Sequence, residues 1–168
     1  CAILATALKF EGVFTLQARG DGPVSMLVVD YRTSGDLRGY ASFKEDRLAE
    51  VLKKGNVEGA PVPRLLGAGH LALTVDQGPD TERYQGIVEL EGATLADCAH
   101  AYFRQSEQLE TGIRLSVERD SSGRWHAGGL MLQRLPQAAG LVSDEIEDAW
   151  RRALILMGSL TPKELALA

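Results

Sequence analysis

Asp76, Asp80 and Glu82 fall within one short stretch, Asp76-Gln77-Gly78-Pro79-Asp80-Thr81-Glu82. Carboxylates this close could share a divalent ion or divide acid and base roles in a hydrolysis. His70, a few residues upstream, could join them. The same residue types also make a polar turn, since Gly tolerates positive φ and Pro and Asp favour chain reversal. The three histidines, His70, His100 and His126, fall in three different predicted elements. No His-x-x-x-His or Cys-x-x-Cys spacing accompanies them, so the sequence presents no metal-binding signature. No Gly-x-Ser-x-Gly elbow occurs, and Gly20-Asp21-Gly22 and Gly67-Ala68-Gly69 lack the spacing of a phosphate loop. Taken alone, the residues name no catalytic group and no metal ligand.

Two cysteines, Cys1 and Cys98, lie far apart, which is neither a disulfide framework nor a zinc site and suits a reducing compartment. Cys98 sits on an apolar stripe between Leu95 and Tyr102 and reads as an inert core thiol, with redox chemistry the alternative. With 168 residues the chain fits one domain, and its net charge of -5 gives no basic footprint for nucleic acid or an acidic membrane. No apolar run reaches the ~20 residues of a membrane helix, and no signal peptide leads the chain, so a cytoplasmic location is expected.

The elements that must position these residues follow from periodicity. Phe14, Leu16 and Ala18 alternate with Val13, Thr15 and Gln17, which predicts a half-buried strand. After the Gly20–Pro23 turn, Ser25 to Tyr31 reads as a strand covered on both faces. Leu37, Gly39, Ala41 and Phe43 form a third strand, and the three suggest an antiparallel meander. Glu45 to Lys54 predicts a short helix with Leu48, Val51 and Leu52 inward, and Gly55 to Pro63 a mobile loop. His70–Asp76 and Tyr84–Leu90 read as two more strands.

Thr94 caps a helix whose stripe is Leu95, Cys98, Ala99, Tyr102, Ser106 and Leu109. Ile113, Leu115 and Val117 then alternate with Arg114, Ser116 and Glu118 in a strand, and Ser121-Ser122-Gly123 turns the chain into another from Trp125 to Arg134, where Gly128-Gly129 marks a bulge or a close backbone contact. Ser143 to Met157 predicts a helix with Glu147–Arg151 and Asp148–Arg152 pairs. Thr161, Pro162 and Glu164 are cap, first position and third position of another helix. The pattern is α+β: antiparallel or mixed β-sheets packed with a largely buried central helix.

Several blocks resemble the heat-shock protein 33 family of redox-regulated bacterial holdases. They are Leu8–Gly12, Gly20–Asp30, Leu37–Ala41, Leu71–Gly92, the helix after Thr94 with Tyr102-Phe103-x-Gln105-Ser106-Glu107-Gln108, and Ala127–Pro136. The resemblance implies an ATP-independent chaperone that binds unfolding proteins and prevents their aggregation, active as a homodimer and without catalysis. It implies a zinc ion and a redox switch held by four C-terminal cysteines, none of which this chain contains. Residues 1–160 then read as the core domain, truncated before Cys1, and 161–168 as the start of a linker. Trp125, Met131 and Leu132, or Phe14 and Leu16, are possible client contacts, although each also reads as ordinary core.

Two other classes stay open: a small metal-dependent hydrolase on the Asp76–Glu82 turn with His70, and a passive oligomerisation domain. The expected partners are unfolded client proteins and a second copy, with neither nucleic acid nor membrane.

Overall fold

After a short helix α1 (Ala2–Thr6), the alternation from Val13 onward is realised as β1 (Val13–Gly20), which pairs with β2 (Val24–Arg32), itself paired with β3 (Leu37–Phe43). The computed structural model describes residues 1–55, 57–135 and 144–167, divided between two units, 1–106 and 107–168. In the first unit β4 (Gly69–Asp76) pairs with β1 on its free side, and β5 (Tyr84–Glu89) with β4. The order is β3-β2-β1-β4-β5, antiparallel throughout, so the expected meander is present and extended by a second hairpin.

One sheet face carries the core: Phe14, Ala18, Leu71, Leu73, Val75 and Val88 are buried. Helix α3 (Leu95–Tyr102) starts at a capping box, in which Asp97 N–H donates to Thr94 Oγ1 (3.2 Å) and Thr94 N–H to Asp97 Oδ2 (2.9 Å). Cys98, Ala99, Ala101 and Tyr102 are buried, which makes α3 the expected largely buried helix. Its Tyr102 ring lies against Gly86 of β5, where an added Cβ would sit 2.4 Å from the phenolic oxygen. The opposite face is mixed, with Ala72 buried and Tyr40 and Ile87 exposed beside a polar row. One row crosses all five strands, with Arg38 paired to Asp30 (2.7 Å), Thr15 donating to Asp30 (2.7 Å), and Gln85 donating to Thr74 (2.8 Å). The Thr15 hydroxyl, aided by Arg38 and opposed by burial, holds the Asp30 carboxyl below its ordinary pKa.

The Gly20–Pro23 turn interlocks with residues 66–69. Asp21 N–H donates to Ala68 O (3.0 Å), Gly22 N–H to Leu66 O (2.8 Å), and Ala68 N–H to Asp21 Oδ1 (2.9 Å). A Cβ at Gly20 would lie 1.9 Å from Leu66 O, and one at Gly69 would lie 1.9 Å from Arg19 O. No side chain fits either place.

The second unit holds β6 (Thr111–Arg119) and β7 (Trp125–Gln133), with α4 (Asp144–Ser159) and α5 (Pro162–Leu167). The Thr161–Glu164 capping box forms as expected. Arg134 joins Glu110 (2.7 Å) to Glu147 (2.5 Å), and so ties the start of α4 to the start of the ribbon.

Several expectations need correction. β2 is half-buried from Val24 to Tyr31 and not covered on both faces, because its neighbour β3 lies at the sheet edge. β3 is exposed at every position but Ser42. Helix α2 (Glu45–Lys53) buries no residue, and Leu52 points to solvent. The loop expected to Pro63 gives way to a π-helical turn over Val62–Leu66, because Val62 and Leu66 are needed in the core. A second π-turn, Phe103–Glu107, replaces the end of the long helix, and it leaves Ser106 exposed and Phe103 buried. Glu147 pairs with Arg134 and not with Arg151, whereas Asp148–Arg152 (2.7 Å) forms as expected. The predicted start of α4 at Ser143 lies outside the described residues. Of the two readings of Gly128-Gly129, the close backbone contact holds, at Gly128, and β6 and β7 pair without a bulge.

Gly20→Ala should lower stability by about 2–3 kcal/mol in urea unfolding, since the carbonyl it meets belongs to backbone that cannot turn aside. Gly39→Ala, whose nearest neighbour atom would be 3.8 Å away, should stay within about 0.5 kcal/mol. Equal effects at both sites would show that the junction is not tightly packed.

Candidate functional site

The β6–β7 ribbon has two unlike faces. In its register Ile113 pairs with Met131, Leu115 with Gly129, Val117 with Ala127, and Arg119 with Trp125. Directly paired residues share a face, so these side chains form one apolar strip. It is open: Leu115 is 48 %, Val117 64 % and Trp125 70 % exposed. The Arg119 guanidinium lies 5.6 Å from the centre of the Trp125 ring and shields part of it.

The other face takes the helices. Ser116, buried, donates to Pro162 O (2.8 Å), and a Cβ on Gly128 would fall 1.7 Å from Leu165 O. At Gly112 a Cβ would meet Leu154 (2.7 Å) and Met157 (2.8 Å) of α4. Arg114 caps the end of α4 through the carbonyls of Met157 and Gly158. Small residues let α5 approach at backbone distance, while Leu115, Val117 and Trp125 are left on the outside. The alternation along β6 is thus resolved with Leu115 and Val117 on the open face.

The ribbon's tip is fixed by Asp120. Its Oδ1 accepts from Ser122 N–H (2.8 Å), Ser122 Oγ (2.6 Å) and Arg124 N–H (2.9 Å), and its Oδ2 meets His126 Nε2 (2.9 Å). The Ser122 hydroxyl above all, then His126, hold the Asp120 carboxyl far below the usual range. The strip is thus presented on a locked hairpin.

The residues singled out for catalysis do not come together. His70 and Asp76 sit near opposite ends of β4, roughly 20 Å apart at the strand rise. Asp76 Oδ1 accepts from Gly78 N–H (3.0 Å) and its Oδ2 pairs with Arg83 (2.7 Å), while Asp80 and Glu82 are exposed. The segment is a polar turn. His100 is exposed on α3 and His126 is held by Asp120. Among the described residues no three His, Cys, Asp or Glu side chains could share a metal ion.

Nor do the two thiols fit zinc. Cys98 is fully buried, and desolvation, with Asp97 nearby, pushes its pKa up to about 11. Cys1 lies apart, its sulfur 3.5 Å from Val29 O. Gln105 donates to Glu91 (3.2 Å), Arg104 pairs with the same carboxylate (3.7 Å), and Gln108 ends the π-turn at φ 55°. That polar stretch closes a helix.

Of the possible contacts, Phe14 is core at 2 % exposure and Leu16 is half-buried in β1. Leu132, paired with Gly112, lies on the helix-bearing face. Trp125 and Met131 fall on the open strip, where Leu115 and Val117 join them.

The family profile described as Hsp33 protein matches residues 1–168. The chain belongs to the Hsp33 family. The 33 kDa chaperonin of Caulobacter vibrioides is 44 % identical over 167 residues, covering 98 % of this chain and 54 % of that protein. The 33 kDa chaperonin of Pseudomonas putida is 37 % identical over 163 residues, covering 97 % and 50 %. The chain thus spans about half the length of the curated Hsp33 relatives it matches. The crystal structure of the 33 kDa chaperonin from Thermotoga maritima shares the fold, with TM-score 0.67 at 22 % identity over 95 % of this chain and 51 % of that one. No helix among the described residues is long and apolar enough to cross a membrane.

Two consequences of the Cys98 environment can be measured. Native protein should leave Cys98 unlabelled by a thiol reagent near pH 8, with labelling appearing only on unfolding. The folded thiol, with its raised pKa, keeps its proton while the unfolded one ionises. Stability should therefore fall as pH rises from about 9 to 11, and Cys98→Ala should remove that part of the slope. Prompt labelling in the native state would contradict the buried, protonated thiol.

Proposed function

We propose that this chain is the client-binding core of an ATP-independent holdase, which holds unfolding proteins and prevents their aggregation without catalysing a reaction. Membership of the Hsp33 family supports the chaperone reading. The observation that carries it to a surface is the open strip of Leu115, Val117, Trp125 and Met131 on the locked β6–β7 hairpin. Unfolded chains expose apolar side chains in no fixed order, so a surface that captures them needs accessible apolar area and no shaped pocket. Met131 adds an adaptable, polarisable contact.

On this reading the chain works in the cytoplasm as a homodimer and needs no nucleotide. Zinc and the thiol switch belong to cysteines that this chain does not carry. The hydrolase reading has no support, since its groups stand apart along β4 and within a turn.

Light scattering of a chemically unfolded client diluted into buffer tests the proposal. The chain should suppress the rise in scattering without ATP, and peroxide should not change the result. Val117→Glu combined with Trp125→Ala should weaken suppression more than tenfold, since burying two such side chains contributes about 3 kcal/mol or more. Both side chains are exposed, so the melting temperature should hold. Suppression by the double variant equal to that of the parent would exclude the strip.

A further inference from the structure

We propose that the open face of the β6–β7 ribbon favours apolar client segments that end in an Asp or Glu side chain, with Arg119 receiving the carboxylate. The inference rests on the strip as the client surface in the reading above, and adds to it a chemical preference.

The face has relief. Leu115 and Val117 form a ridge on β6, whereas their partners on β7, Gly129 and Ala127, carry nothing beyond Cβ. These small residues floor a trough between Trp125 and Met131, about 20 Å long at the strand rise. An extended segment of about six residues covers that length. Apolar contacts alone give such a segment no preferred end.

The two ends of the trough differ in charge. Along the two strands Arg119 is the only charged residue on this face, since Glu118 alternates to the other. Its Nε–H donates to Gly123 O (2.9 Å), and its guanidinium lies 5.6 Å from the centre of the Trp125 ring. Both contacts hold the group beside Trp125 before a client arrives, so less side-chain freedom is lost on binding.

Arg119 nevertheless pairs with no carboxylate among the described residues. Asp120, next to it in sequence, is already taken. Its Oδ1 accepts from the Ser122 hydroxyl (2.6 Å) and Arg124 N–H (2.9 Å), and its Oδ2 accepts from Arg124 Nε–H (3.2 Å) and meets His126 Nε2 (2.9 Å). The Trp125 ring keeps water from one side of the free guanidinium, and an apolar segment laid over the ring removes more. A carboxylate at the end of that segment then meets a partly desolvated cation.

The charge of the whole chain acts in the opposite sense. At -5 it repels acidic segments at a distance and attracts basic ones. A preference for acid therefore has to come from a local cation. The bias is a few-fold, so the apolar strip still accepts many sequences.

Fluorescence anisotropy with three labelled peptides reads this preference. All are amidated, share an apolar core of about six residues, and end in a pair of Asp, Asn or Lys. A peptide laid on a face can run either way, so acid at one end suffices. The Asp peptide should bind the parent chain roughly fivefold more tightly than the Asn peptide, and the Lys peptide should bind more weakly than either. At about 1 M salt the difference should fade while the Asn peptide still binds. Arg119→Gln should erase the difference and leave the Asn peptide within about twofold of its parent affinity, and Arg119→Glu should reverse the order. Arg47→Gln makes the same change in net charge as Arg119→Gln, on exposed α2, and should leave the preference in place.

Equal binding of the Asp and Asn peptides, both weakened by Val117→Glu with Trp125→Ala, would overturn this inference and leave the strip as the client surface. An acid preference that survives Arg119→Gln would overturn it too. So would an absence of binding by all three peptides, and the scattering assay then decides separately whether the strip serves clients.

Discussion

Where β1 ends, the carbonyl of Leu66 occupies the space that a side chain at Gly20 would need, and Arg19 O does the same at Gly69. The register of β1 against β4 depends on this contact between two backbones. Those strands are separated by about fifty residues in sequence, and their pairing carries a loop-closure cost that local turns do not. The junction offsets that cost with three hydrogen bonds among Asp21, Gly22, Leu66 and Ala68. With β4 fixed, Leu71, Leu73 and Val75 fall on the same face as Phe14 and Ala18, and α3 has a surface to bury Cys98 and Tyr102 against. A one-residue slip would turn that whole set toward the opposite face, away from α3.

The β6–β7 ribbon uses close approach to the opposite end. Gly112, Ser116 and Gly128 make a face so shallow that α5 lies against it at backbone distance. Leu130 and Leu132 share that face with the small residues, and Ile113, Leu115, Val117, Trp125 and Met131 occupy the other. The exposed strip is therefore a direct consequence of how the helix is seated. The Asp120 network then removes conformational freedom from the tip, which keeps Trp125 and Val117 presented in place of folding over one another.

Much of the fold was legible because its signals were local. Turn residues, alternation and the Thr94 and Thr161 capping boxes gave every strand within a residue or two and the starts of α3 and α5, though not the end of α3. Burial was read less well. Alternation shows that two faces differ, but not which is covered, and for Leu115 and Val117 the larger side chains point out. Gly112, Ser116 and Gly128 at alternating positions on paired strands were the available signal, and it called for knowing that a helix would land there. The cover expected on both faces of β2 was misread for a related reason: position in the sheet order is decided by long-range pairing, and no local pattern reports it. The two π-turns arise from the demand to bury Val62, Leu66 and Phe103, and this too is tertiary. The site fared likewise. Trp125 and Met131 were legible as possible contacts, whereas Phe14 belongs to the core.

Apolar exposure on this chain occurs in two forms with different physics. On β6–β7 it is side chains alone, since the free face of a ribbon offers no backbone groups to an incoming chain. Such a surface gains from any apolar segment and discriminates little among sequences. On β3 the exposed residues come with unpaired N–H and C=O groups and with Asp36 and Lys44 set at fixed distances along the strand. Hydrogen bonds impose a direction and a register, and the flanking charges reject partners that do not match. An indiscriminate surface suits clients that differ from one unfolding protein to the next.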